Sequence, residues 1–169
     1  MKKLLIIILC SIGIISCKKK EVEINSTPRE VINFKLVNNN GVDLINGPLN
    51  PVLTEDLILE YLIDGKRLVP SIDPRIQLDE PYVPVSISNY YNPNIFDGKT
   101  VNFEPNITAD QTTLKATSYL TIKNKGTFKV EVELLKAGVN STNGKVWVND
   151  VLLRTDRSGG DKPITLVVN

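Results

Sequence analysis

Catalysis in this chain has to rest on carboxylates, lysines, tyrosines or a bound metal. Its 169 residues include no histidine and only two cysteines, Cys10 and Cys17. A histidine-based triad, a histidine proton shuttle, a zinc finger and a haem site with a histidine ligand are therefore excluded. The carboxylates do not fall into a catalytic pattern. Glu131 and Glu133 stand two apart on a strand-like segment and share its solvent side. A glycosidase instead sets two carboxyls across a cleft, roughly 5 or 6.5–9.5 Å apart. Glu55-Asp56 and Asp79-Glu80 fall beside loops. Asp156 and Asp161 flank Arg157-Ser158-Gly159-Gly160, where a shared ion is one reading and a plain loop the simpler one. No glycine-rich phosphate loop, nucleophile elbow, Ser-x-x-Lys element or Asp-x-Asp-x-Asp-Gly calcium loop occurs. The expectation is a chain that is not an enzyme, with no cofactor and no metal site.

Aromatic residues offer a binding chemistry instead. Ser88-Asn89-Tyr90-Tyr91-Asn92-Pro93-Asn94 sets two adjacent tyrosines among amides in a turn-rich stretch. Ring faces stack on the apolar face of a pyranose, and amides such as that of Asn92 bond its hydroxyls, so a glycan is the ligand this chemistry fits. The plainer reading puts one tyrosine in the core and the other on the surface. Trp147 is the single tryptophan. A two-residue turn at Asn149-Asp150 places it with Leu152 on one face, and Val146, Val148, Val151 and Leu153 on the other. Such a hairpin is either buried on both sides or exposes a Trp/Leu patch for a partner. Asn106-Ile107-Thr108 matches a glycosylation sequon, to which little weight attaches here.

Charge narrows the partners. Twenty Lys+Arg stand against nineteen Asp+Glu. A nucleic-acid binder needs a basic surface to release counterions, so no nucleic acid is expected.

The elements that position these residues read as strands. From residue 31 onward no stretch keeps a 3.6-residue period, whereas period-2 alternation recurs. The clearest case is a hairpin over residues 119–134 with Asn124-Lys125-Gly126 as a three-residue loop. That register pairs Ile122 with Phe128 and Leu120 with Val130 on an apolar face. Lys123 then faces Thr127, Thr121 faces Lys129 and Tyr119 faces Glu131 on a polar one. Residues 31–37 form a strand with Ile32, Phe34 and Leu36 inward, turned by Asn39-Asn40-Gly41. Residues 57–63 run into an Asp64-Gly65 turn. Further strands are expected at 83–87, 100–103, 146–148, 151–153 and 164–168. Pro70, Pro74, Pro81, Pro84, Pro93 and Pro105 confine strands in their neighbourhood to short or edge positions. About ten short strands with Gly/Asn/Asp turns predict an all-β fold, an antiparallel β-sandwich with an immunoglobulin-like arrangement, a small barrel being the alternative.

The N-terminus reads as an address. Lys2-Lys3 precedes an apolar run over residues 4–15, too short for a transmembrane helix, which needs about 20 residues. Ile14-Ile15-Ser16-Cys17 resembles the lipobox of bacterial lipoproteins: aliphatic, variable, small, cysteine. That resemblance implies a signal peptide over 1–16, cleavage before Cys17, lipid on its sulfur and an acyl chain such as palmitate on its new amino group. Residues 17–30 become the anchor and a polar tether, and 31–169 a single domain. The mature chain then holds no free thiol, which excludes thiol nucleophiles and disulfides. Lys20-Glu21 with Glu23 resembles in part the surface-export signal of Bacteroidota lipoproteins, with Val22 interrupting the acidic pair; a solvated spacer is the alternative. No aspartate follows Cys17, so the outer membrane is the expected location, either leaflet being open. The resulting expectation is a non-enzymatic cell-envelope lipoprotein that binds a ligand such as a glycan or serves a surface uptake complex. The rival is an adhesion or assembly module that meets an envelope protein through an apolar patch or a sheet edge.

Overall fold

A computed structural model describes residues 31–47, 50–70, 83–105, 115–137, 140–155 and 162–169, with the backbone alone over 134–137 and 140–143. Residues 1–16 and Cys17, the sequon at Asn106, Asp79-Glu80 and the Asp156/Asp161 loop lie outside the described residues. Ten strands are present among the described residues: β1 (Ile32–Val37), β2 (Leu57–Ile63), β3 (Lys66–Leu68), β4 (Val85–Asn89), β5 (Lys99–Phe103), β6 (Lys115–Ile122), β7 (Gly126–Ala137), β8 (Asn140–Val148), β9 (Val151–Arg154) and β10 (Ile164–Val167). They build two sheets, one ordered β10-β1-β5-β4 and the other β3-β2-β6-β7-β8-β9. The protein is an all-β sandwich of a four-stranded and a six-stranded layer.

Alternation decides which face each strand buries. Ile32, Phe34 and Leu36 of β1 and Val101 and Phe103 of β5 point inward from the smaller sheet. Leu59, Leu120, Ile122, Val130, Val132 and Val146 meet them from the larger one, in a single core. Phe34 and Phe103 pack edge to face at 6.1 Å. Hydrogen bonds tie the layers at their rims: Tyr61 Oη donates to the Glu104 carbonyl at 3.0 Å, and the Ile87 N–H donates to Thr54 Oγ1 at 3.1 Å. The proline-rich stretch leads into β4, which pairs with β5 alone and is an edge strand, where a missing N–H is tolerated.

Three details differ from the sequence expectation. In the β6–β7 hairpin the loop is Lys123-Asn124-Lys125, and Ile122 pairs with Gly126 and Leu120 with Phe128. Asn124 takes the left-handed conformation at φ +61°, so the chain reverses one residue earlier. Each β6 residue thus faces a β7 residue two positions before the expected one, a shift that leaves every side chain on its expected face. The gain is local: Thr121 and Thr127 come opposite each other with hydroxyls 2.8 Å apart. Secondly, β7 has 12 residues and β8 has 9, so the strands are not all short. Thirdly, β1 pairs with β10 in parallel, while every other pair is antiparallel. The strand order does not establish the immunoglobulin arrangement, because β2 lies between β3 and β6 in the opposite sheet rather than beside β1.

Candidate functional site

The tyrosine pair sits where β4 ends. Val85 of β4 is buried and Ser86 and Ser88 occupy the outward positions, so continued alternation carries Tyr90 onto the outer face of the four-stranded sheet. There the chain turns back. Tyr90 N–H donates to the Gly98 carbonyl at 2.9 Å, and the Asn92 carbonyl accepts from Ile95 and Phe96 N–H at 3.0 and 3.2 Å. Gly98 makes the return possible: its φ is +150°, and a Cβ there would stand 3.2 Å from both Asn46 Nδ2 and the Phe96 ring. Phe96 packs edge to face on Tyr90 at 5.9 Å, with Lys35 Nζ 5.4 Å from its centroid.

A second loop clamps this turn. Asn46 bonds both backbone groups of Lys99, accepting its N–H at 2.9 Å and donating to its carbonyl at 3.2 Å. Asp43 holds Asn46 in turn: its carboxylate accepts the Ile45 and Asn46 N–H at 2.8 Å and the Asn46 side-chain amide at 3.0 Å. Partial burial works to raise the Asp43 carboxyl, but the bonds from Asn46 and Ile45, with Lys35 nearby, outweigh it and hold the group below its ordinary 3.8. A carboxyl lowered in the folded state stabilises the fold above its ordinary range, and that contribution disappears as pH falls through the lowered value. The thermal midpoint of the native chain is therefore expected to fall more steeply on acidification below about pH 5 than that of Asp43→Asn. Parallel profiles would remove Asp43 from the clamp.

The outcome for the rings is a division of labour. Tyr90 is 9% exposed and Tyr91 98% exposed, so the two do not form one stacking platform. The plainer expectation holds for Tyr91, which lies on the surface; Tyr90 is buried, but against Phe96 on the outer face of the sheet and not in the core between the layers. Asn92 is half-buried and works through its carbonyl, whereas Asn89 and Asn94 are exposed.

No family model, no curated protein and no solved structure matches the chain. The chemistry of the surfaces therefore stands without analogy.

Trp147 lies elsewhere, on the outer face of the six-stranded sheet, opposite Glu131 on β7 and Leu152 on β9. It is neither sealed on both sides nor fully open, because Lys115 reaches across β7 and places Nζ 4.4 Å from its ring centroid. Arg67 covers Tyr119 in the same manner at 3.5 Å. Glu131 lies between Lys115 and Lys129, 3.2 Å from each, Lys129 also meets Asp150 at 3.0 Å, and Glu133 meets Lys145 at 3.8 Å. The Asp150 hydrogen bond raises the Lys129 ammonium and lowers its own carboxyl. The glutamates are thus paired with lysines on an outer face and do not converge in a cleft. Among the described residues no cluster of three or more metal-ligating side chains occurs.

Sequence reasoning missed Phe96, Lys35 and Asn46, and it missed a row of neutral polar side chains on the outer face of the smaller sheet. Thr100 is fully buried there. Its hydroxyl donates to Asn102 Oδ1 at 3.1 Å and lies 3.5 Å from Asn33 Oδ1, while Asn102 Nδ2 donates to Ser88 Oγ. The available signal was alternation itself, which gives β1 and β5 amides and hydroxyls at outward positions.

Proposed function

We propose that this chain is a non-enzymatic cell-envelope lipoprotein, held in the outer membrane by a lipidated Cys17, whose sandwich binds a glycan on its own or as an accessory subunit of a surface uptake complex. The observation that carries the binding part is Tyr91, an almost fully exposed ring on a turn pinned by Tyr90, Phe96, Asn92 and the Asn46 clamp. The backbone that carries the ring is already held in place, so a sugar stacking on it has only the side chain to order, which favours binding. The amides of Asn89 and Asn94 stand beside it in sequence with exposed side chains, suited to hydroxyls. The anchor rests on the lipobox-like Ile14-Ile15-Ser16-Cys17, and the non-enzymatic reading on the want of histidine, the want of a free thiol once the chain is cleaved and lipidated at Cys17, and the pairing of Glu131 and Glu133 with lysines on an outer face. The test is retention of the full chain on immobilised polysaccharides: Tyr91→Ala is expected to abolish it with the thermal midpoint unchanged. Retention equal to that of the native chain would sink this reading.

A second reading, a module that docks on an envelope protein, is favoured by β9. This strand ends the six-stranded sheet opposite a layer of four, and Val151, Leu152 and Leu153 are 59%, 43% and 38% exposed. The register slips between Val146 and Trp147, so β9 carries an extra residue against β8, a bulge that blunts edge pairing. Contact here runs through side chains and not through the sheet edge. Cross-linking in intact cells should give a protein adduct that Leu152→Ser with Leu153→Ser removes. An undiminished adduct counts against the patch.

A further inference from the structure

The two outer faces of the sandwich differ in kind. The six-stranded face is laced with ion pairs and cation-capped rings. The outward positions of β1, β5 and β4 hold Asn33, Lys35, Thr100, Asn102, Ser86 and Ser88, of which Lys35 alone is charged, and it is directed at Phe96. The neutral groups form a directed row. The Thr100 hydroxyl fixes the Asn102 carbonyl, Asn102 Nδ2 donates to Ser88, and Ser88 Oγ donates to the Asn89 carbonyl at 3.4 Å. Thr100 is withdrawn from water, so its hydrogen bond serves to orient a neighbour. The second Asn102 Nδ2 proton and both Asn33 Nδ2 protons keep no partner among the described residues. Strand spacing sets the row from β1 to β4 about 10 Å long, a length over which successive sugar rings can each meet an amide or hydroxyl.

We infer that a neutral, polyhydroxylated glycan chain lies along this face, its hydroxyls on Asn33, Asn102 and Ser88, with Tyr91 exposed on the turn that follows β4. The inference rests on the glycan reading above and adds the class of sugar and the surface. A uronate or sulfated chain calls for several cations, which the face lacks; an oriented row of amides meets uncharged hydroxyls without desolvating an ion.

Affinity electrophoresis of the full chain tests this, in gels holding xylan, laminarin or dextran and, separately, polygalacturonate or hyaluronan. At least one uncharged polymer is expected to retard the protein equally at low and high salt, and neither anionic one. Asn33→Ala should weaken that retardation about tenfold, the scale of one lost hydrogen bond to an oriented donor. Asn102→Ala should do at least as much but also breaks the row, so its thermal midpoint is measured alongside, and Asn33→Ala, whose side chain makes only the 3.5 Å contact, is the cleaner variant. Retardation that Tyr91→Ala abolishes and Asn33→Ala and Asn102→Ala leave intact overturns this surface while sparing the glycan reading. Retardation only by the anionic polymers, or lost in salt, overturns the neutral class. Retardation by none of the five overturns both.

Discussion

Phe103→Ala lowers the stability of the folded chain by about 3–5 kcal/mol, the range for truncating a buried aromatic. The position explains the size. Phe103 is fully buried and lies on β5, between β1 and β4, paired with Ile32 on one side and Val85 on the other. Its ring meets Phe34 edge to face, and the six-stranded sheet closes the core from the other side. Neighbours drawn from the two flanking strands and from the opposite sheet are held by their own ladders, so they cannot move together to fill the space left behind. Urea unfolding followed by far-UV circular dichroism measures the change. A loss below about 1 kcal/mol, the centre of the distribution for ordinary substitutions, would mean that the sheets do not pack through this residue.

Legibility tracked how local each decision was. Strand β2 was readable residue for residue, because Leu57, Leu59 and Tyr61 alternate inward and the Asp64-Gly65 turn stops the strand with two positive φ values, +50° and +75°. The β6–β7 register was legible in its faces but not in its pairs. Two neighbouring residues, Asn124 and Gly126, can each take positive φ, and both do, at +61° and +118°. The choice between loops one residue apart then falls to cross-strand partners such as Thr121 and Thr127. Trp147 shows a longer reach: its cover comes from Lys115 on β6, two strands away, which no pattern around residue 147 announces. Nor does anything near residues 88–98 announce the Asn46 clamp, since its bonds to Lys99 join positions 53 apart in sequence. The polar row was legible as alternation, but its function as a row depends on β1, β5 and β4 lying side by side, which is a property of topology.

The tyrosine pair turns these two scales into one experiment. Tyr90→Ala is expected to cost about 3 kcal/mol, near the lower part of the range for buried large side chains, because the ring supports Phe96 and thereby the whole return from Asn92 to Gly98. Tyr91→Ala is expected to change stability by less than about 0.5 kcal/mol, as a fully exposed side chain does. Thermal or urea unfolding of the two variants gives the contrast directly. Equal losses at both positions would place Tyr91 against the body of the protein and leave the turn without an exposed ring. If the contrast holds, any loss of polysaccharide retention in Tyr91→Ala belongs to the ring itself. The same loss in Tyr90→Ala then reports the collapse of its support. The adjacent rings thus separate two causes that a single substitution at either site would confound: one builds the turn, and the other is what the turn presents.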